Sequence, residues 1–160
     1  MQKLAPIFFL ACLVALTISI GKADTPSAAA PAQSKTAMVG PFGGSASIDV
    51  KNYVPVSVIR TIKKYGVVGQ RSQQSMVDLA KTGSVICADT GGSYLIGGTV
   101  DLTAPMSDQY WITATVTLNG FDCSNLAGKV RSITVSAENA DRQTSIDIAV
   151  ANALKQYLAH

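Results

Sequence analysis

The sequence is poor in the side chains that most often carry out acid–base chemistry. Its only histidine is His160, the last residue, and its only glutamate is Glu138. Hydrolases with a serine–histidine–aspartate triad or a cysteine–histidine pair need an imidazole beside the nucleophile, so both classes are disfavoured. A zinc site needs about four ligands at a recognisable spacing, which the cysteines and this histidine do not provide. We therefore expect no metal and no other cofactor.

The first part of the chain is typical of a cleaved secretory signal, which we place at residues 1–23. Lys3 precedes an apolar run over residues 4–20, and Gly21 and Ala23 are small residues of the kind that signal peptidase reads. An uncleaved membrane anchor is one alternative. A lipoprotein with Cys12 as the lipidated residue is another.

The rest of the chain is predicted to be one domain behind a tether. Residues 24–35 are rich in Ala, Pro and Ser and too poor in hydrophobic residues to build a core, which predicts a flexible segment. Residues 36–160 are the length of a single domain. No apolar run after residue 23 is long enough to span a membrane. The expected location is therefore the periplasm or the outside of the cell.

Clustered positive charge is also missing once the signal is removed. Cleavage takes Lys3 and Lys22 with it and leaves 11 basic residues against 10 acidic ones, a net charge of +1. A nucleic-acid groove needs clustered Lys and Arg. The charge balance therefore argues against a nucleic-acid partner.

Two segments with a period of two organise the predicted fold. Apolar residues alternate with small or polar ones over residues 94–102 and again over 110–118, which predicts two half-buried strands. Residues 103–108 contain Pro105 and short polar residues that favour a reversal, so the strands should form an antiparallel hairpin. Residues 129–137 alternate in the same way and add a third strand.

Helical patterns on both sides of this meander complete the α+β class. Four predicted elements precede the meander. They are a strand around residues 37–39, a helix from Pro55 to Gly66, a short buried strand at Val67 and Val68, and a helix from Ser72 or Ser75 to Gly83. A helix over residues 146–158 follows it, with Asp147 on its outer side. The predicted order is β-α-β-α-β-β-β-α, a mixed sheet of about five strands with helices packed on it.

Two cysteines, Cys87 and Cys123, remain after signal cleavage. An even pair in an exported protein favours a disulfide over a metal or catalytic site. Cys87 precedes the first hairpin strand and Cys123 follows the second, so an antiparallel hairpin brings both to the same end. We therefore predict a Cys87–Cys123 disulfide, with two buried free thiols as the alternative.

Several local phrases, in this element order, resemble the curli-assembly and TolB amino-terminal-domain group of bacterial envelope proteins. The resemblance covers about residues 36–158. It rests on five phrases: the strand ending in Phe42, the strand-to-helix phrase at residues 65–72, residues 93–100 with glycines inside a strand, the turn at residues 126–130, and the alanine-rich last helix. It implies a periplasmic domain that contacts other envelope proteins. It implies no catalytic residues, and the chain lacks room for the long insertions of the pore-forming members.

One short motif points to a different function. Asp89-Thr90-Gly91 is the turn that in aspartic proteases places a carboxylate beside its twin, and a single copy would require a homodimer. The same composition is an ordinary turn. The glycine pairs Gly91-Gly92 and Gly97-Gly98 do not fit a phosphate-binding loop, and glycines within a strand mark a bulge or close packing.

Trp111 marks a candidate binding face. It shares the polar side of the second hairpin strand with Thr113, Thr115 and Thr117, where an aromatic side chain can anchor a partner. The alternative is that a helix or the chain's own tail covers it. The sequence thus predicts a non-enzymatic exported domain that binds or supports another envelope component. A homodimeric aspartic protease and a secreted binder of small ligands or peptides are the alternatives, and the oligomeric state is left open.

Overall fold

Alternating apolar residues build one mixed sheet, and helices with apolar stripes cover it. The computed structural model describes residues 34–76, 78–103, 111–125, 127 and 129–159, all within the unit Gln33–His160. The elements along these residues are β1 (Thr36–Gly43), α1 (Ile48–Ile62), β2 (Val68–Arg71), α2 (Leu79–Thr90), β3 (Tyr94–Thr103), β4 (Ile112–Asp122), β5 (Arg131–Asn139) and α3 (Arg142–Leu158). This confirms the predicted class and element order. The predicted signal peptide, and nearly all of the predicted tether, lie outside the described residues.

The central hairpin and the meander form as predicted. The sheet order is β2-β1-β3-β4-β5, with β1 parallel to both of its neighbours and β3, β4 and β5 antiparallel. The β3–β4 register runs from the pair Tyr94 and Asp122 to the pair Thr103 and Thr113. Most of the predicted reversal, residues 104–108, lies outside the described residues.

The two faces of the sheet are covered unequally. α1 and α3 pack on one face over a large core that includes Val54, Val116 and Leu154, each fully buried. α2 packs on the other face over a smaller core formed by Met76, Leu79, Ile86, Cys87, Leu95 and Phe121. The smaller core lies where β3 starts and β4 ends, so α2 leaves the rest of its face uncovered.

The disulfide between Cys87 and Cys123 is confirmed. Its sulfur atoms are 2.02 Å apart and the two Cα atoms are 5.5 Å apart. The bond joins the last turn of α2 to the residue after β4. Because β3 begins beside the end of β4, the disulfide fixes α2 over this end of the hairpin.

The predicted start of α1 at Pro55 is wrong. The helix begins at Ile48, and Pro55 lies inside it and is buried. Val50, Val54, Val58 and Ile62 form a continuous buried stripe at a spacing of four residues. Burial of this stripe outweighs the hydrogen bond that the proline cannot make. Gly66, with a φ of 74°, ends the 3₁₀ turn Lys63–Tyr65 that extends the helix.

The predicted bounds of α2 are also wrong. Gly83 lies inside the helix and does not end it. A glycine is needed here for packing, because a Cβ at this position would lie 2.9 Å from Cδ2 of Phe121. The missing side chain lets the helix approach that ring closely. Gly91, with a φ of 62°, is the residue that ends α2. Ser72 does not cap it, since its Oγ accepts a hydrogen bond from the backbone of Gln74 within a local turn.

Two smaller predictions need correction. The strand at Val67 and Val68 is not buried: β2 begins at Val68, pairs only with β1 and is largely exposed, although Val67 itself is buried. Asp147 does not face away from the core. It lies between α3 and α1, where it accepts hydrogen bonds from Tyr53 (3.1 Å) and Arg60 (2.6 Å).

Candidate functional site

The part of the sheet that α2 leaves uncovered is a surface of hydroxyl groups. Its residues, here called the threonine face, are Thr99, Asp101, Thr103, Thr113, Thr115, Thr117, Asn119, Ser132, Thr134, Ser136 and Glu138. They alternate with core residues such as Val116, because successive side chains of a strand point to opposite sides. The core side of each strand needs apolar residues, and the outward side is free to be polar.

Cross-strand hydrogen bonds order this face. Thr115 Oγ1 and Ser136 Oγ are 2.8 Å apart, and Thr117 Oγ1 and Thr134 Oγ1 are 2.9 Å apart. Two further pairs extend the row, Thr113 to Glu138 at 3.2 Å and Ser132 to Asn119 at 2.8 Å. Four consecutive side-chain pairs thus hold one another in place on a partly exposed surface.

Trp111 stands at the end of this row. It directly precedes Ile112, the first residue of β4, and continues the odd-numbered positions of Thr113 and Thr115. Its side chain is 57% exposed, and no described helix covers it. The role of Trp111 as a binding residue stays a prediction.

The threonine face carries fixed negative charge. Asp101 Oδ1 accepts hydrogen bonds from the Ser45 hydroxyl at 2.6 Å and from the Ser45 backbone at 2.7 Å. These bonds, the hydroxyl first, lower the pKa of Asp101 from its ordinary value. Asp101 is therefore ionised at neutral pH, and Glu138 adds a second carboxylate at the far side of the face.

Asp89 is not placed as an aspartic-protease motif requires. It is exposed in the last turn of α2, and Gly91 is the glycine that ends this helix. The motif needs a strand running into the aspartate, and a helix occupies those residues here. The prediction that the sequence Asp89-Thr90-Gly91 serves as an ordinary reversal is thus closer to the structure.

A polar pocket that no sequence pattern predicts lies at the disulfide end of the hairpin. The pocket has a volume of about 420 Å³ and is lined by Lys35, Tyr94, Gly120, Asp122, Asn125, Lys129, Arg131, Tyr157 and Leu158. Hereafter it is called the disulfide-end pocket. Its residues come from the start of β1, the two hairpin strands, the link from β4 to β5, β5 itself and the end of α3. These segments are far apart in sequence, so no single local pattern predicts the pocket.

Hydrogen bonds hold two of the cations of this pocket in place. The guanidinium of Arg131 donates to the carbonyls of Tyr157 (3.0 Å) and Gln156 (2.9 Å), the last turn of α3. Lys35 Nζ donates to the hydroxyl of Tyr94 at 3.0 Å. The rings of Tyr94 and Tyr157 pack edge to face with centroids 6.4 Å apart. These contacts fix the positions of Arg131, Lys35 and the two rings in the wall of the pocket.

Tyr157 is 8% exposed and lines the same pocket. Burial is the main cause that raises its pKa to about 12; the charges of Asp122 and Tyr94 act in the same direction, and the charge of Arg131 acts against them. Its hydroxyl is therefore protonated at any physiological pH. Among the described residues, no hydrogen-bond partner of this hydroxyl is found.

None of the helices in the described part of the chain combines the length and the hydropathy that a membrane-spanning helix needs.

Comparison with known proteins identifies the fold and no more. A scan against protein-family models gives no match, and a search of curated proteins gives no significant relative. A dodecameric PelC variant from Paraburkholderia phytofirmans matches with a TM-score of 0.60 at 14% identity, over 77% of this chain and 88% of that one. A second PelC dodecamer from the same organism has a TM-score of 0.57 at 16% identity, with 76% and 84% covered.

The hypothetical protein CT253 from Chlamydia trachomatis matches with a TM-score of 0.50 at 11% identity, over 78% of this chain and 94% of that one. At such identities the likeness shows a shared fold. The narrower resemblance to the curli-assembly and TolB group stays a prediction.

Proposed function

We propose that this chain is an exported, non-enzymatic domain of the bacterial envelope that binds another envelope protein through the threonine face and Trp111. The observation that carries the proposal is an ordered sheet face that no described helix covers and that ends in a tryptophan exposed over more than half of its surface. Exposed tryptophans are enriched among the residues that dominate binding energy at interfaces. The hydroxyl pairs supply a rigid polar surround for such an anchor.

Two features support export and an envelope role. The Cys87–Cys123 disulfide is stable in an oxidising compartment such as the periplasm, which fits the secretory signal that we infer at residues 1–23. The fold is shared with PelC chains that form dodecamers, which supports a role in a complex of several chains, whether or not copies of this chain also associate with one another. In this proposal, residues 24–35 are the tether and residues 36–160 are the working domain.

Site-specific crosslinking tests the proposal. A photoreactive amino acid replaces Thr115 on the threonine face of the mature chain, residues 24–160, and a second version carries it at Lys64, which is exposed elsewhere. We expect capture of a defined envelope protein from Thr115 and not from Lys64. Trp111→Ala should reduce this capture at least about tenfold, the loss of a typical anchor.

Tyr65→Ala is the matched control, because Tyr65 is another exposed aromatic residue and lies in the 3₁₀ turn after α1. It should leave capture unchanged. Equal capture from Thr115 and Lys64, or equal losses in the two alanine variants, would contradict a specific role of the face. Capture of further copies of the chain alone would contradict the adaptor role and indicate self-assembly.

A further inference from the structure

The disulfide-end pocket concentrates positive charge. Lys35, Lys129 and Arg131 line it, and Asp122 is the one carboxylate among its described lining residues. The ion pairs found within the described residues involve none of these four side chains. Three of the 11 basic residues of the mature chain therefore share one pocket with one acid, although the mature chain as a whole is close to neutral.

The carboxylate of the pocket is already engaged. Asp122 Oδ1 accepts hydrogen bonds from the backbone and the hydroxyl of Ser124, at 2.9 and 2.7 Å. Within the described residues, no carboxylate lies within ion-pair distance of Lys35, Lys129 or Arg131. A charged group that is not paired within the protein is available to a ligand of opposite sign.

The remaining polar groups of the pocket are mostly donors. The Tyr94 hydroxyl accepts from Lys35, so its own proton is free to be donated. The Tyr157 hydroxyl is neutral, and Asn125 adds an amide. A donor-rich, cationic pocket favours a ligand group that is an anion with several acceptor oxygens.

We propose that the disulfide-end pocket binds a phosphate or carboxylate group carried by a small organic molecule. Lys35 and Lys129 would supply charge, Arg131 would supply charge from a fixed position, and the two tyrosine hydroxyls would donate hydrogen bonds. The volume of about 420 Å³ lies in the range of small-molecule sites. The pocket lies at the opposite end of the β3–β4 hairpin from Trp111, so this inference does not depend on the proposed function.

An NMR titration tests the proposal. The disulfide-bonded mature chain, residues 24–160, is titrated with glycerol 3-phosphate and, separately, with uncharged glycerol, while backbone amide shifts are followed. We expect saturable shifts at Tyr94, Gly120 and Arg131 with glycerol 3-phosphate and none with glycerol. Absence of saturation at millimolar concentration would overturn the proposal.

A pair of double variants separates the pocket from general charge. Lys35→Gln with Lys129→Gln removes two charges from the pocket, and Lys63→Gln with Lys64→Gln removes two from the exposed 3₁₀ turn after α1. All four lysines are exposed, so both variants should fold. We expect at least about tenfold weaker binding in the pocket variant and unchanged binding in the control. Equal weakening in both would overturn the site.

Vesicles distinguish the source of the anionic group. Phosphatidylglycerol vesicles that bind the wild type and the Lys63/Lys64 control but not the pocket variant would assign the group to a lipid headgroup. Glycerol 3-phosphate binding without vesicle binding would assign it to a soluble molecule. Vesicle binding that falls equally in both variants would show surface charge alone and would count against the pocket.

Discussion

At the scale of single residues, Tyr157 shows how burial controls a titratable group. The ring is buried between α3 and the end of β4, against Gly120, where a Cβ would lie 2.2 Å from the ring. The raised pKa, about 12, means that the folded protein holds the tyrosine proton more tightly than the unfolded chain, whose tyrosine pKa is about 10. This difference makes stability depend on pH.

We predict that Tyr157 makes the fold less stable at alkaline pH. Below about pH 10 the hydroxyl is protonated in both states, and the full stabilisation is present. Between about pH 10 and pH 12 only the unfolded chain releases the proton, so the free energy of unfolding should fall by about 1–2 kcal/mol. Urea denaturation at stepped pH measures this fall.

Tyr157→Phe keeps the ring and removes the proton, so it should abolish this part of the pH dependence. Absorbance at the tyrosinate band should also lose the ionisation step near pH 12. If Tyr157→Phe loses as much stability as the wild type between about pH 10 and pH 12, another group is responsible.

At the scale of elements, the side chains of β4 point alternately into the core and onto the threonine face. Val116 is fully buried in the core beneath α1 and α3, whereas Thr115 is paired with Ser136 on the threonine face. The two positions are neighbours in sequence with side chains of nearly equal size. They therefore provide a matched pair for testing what each face requires.

We predict that Val116→Thr destabilises the protein by about 1–2 kcal/mol, because it buries a hydroxyl among apolar side chains. The mirror change, Thr115→Val, should alter the free energy of unfolding by no more than about 0.5 kcal/mol, since it affects an exposed hydrogen bond. Chemical denaturation followed by circular dichroism gives both values. Similar losses in the two variants would contradict the assignment of faces.

The same contrast explains which elements could be predicted from sequence. The strands of the meander show their alternation directly, so their existence, their pairing and the meeting of Cys87 with Cys123 followed from the pattern. The predicted helix bounds were wrong where tertiary packing outweighed the local preference of a glycine or a proline. Gly83 signals a helix end but instead admits the Phe121 ring, and Pro55 signals a helix start but lies within a buried stripe.

The two candidate sites also differ in how far the sequence predicts them. The threonine face and Trp111 lie on adjacent strands, so alternation alone places most of the face. The disulfide-end pocket joins Lys35, Asp122 and Tyr157, which lie far apart in sequence. Such a pocket depends on the tertiary packing of the start of β1, the hairpin and the end of α3, and a local sequence pattern does not predict that packing.

At the scale of the whole molecule, the fold has two cores of unequal strength. α1 and α3 share a large core with the sheet, while α2 is held by the smaller core and the disulfide. The disulfide closes a loop across a sequence separation of 36 residues, which the chain-entropy model values at about 4 kcal/mol. Removal of the bond should therefore affect the two sides of the sheet differently.

We predict that Cys87→Ser with Cys123→Ser lets α2 open by itself. Hydrogen exchange followed by mass spectrometry should show strong loss of amide protection in α2, because a small core no longer fixed by a covalent bond opens at low cost. The amides of α1, α3 and the meander should still exchange only through global unfolding. Wild type treated with reductant should give the same pattern, and untreated wild type is the control. Uniform loss of protection in all elements would instead mean that the two cores unfold as one unit, and α2 would then be integral to the fold.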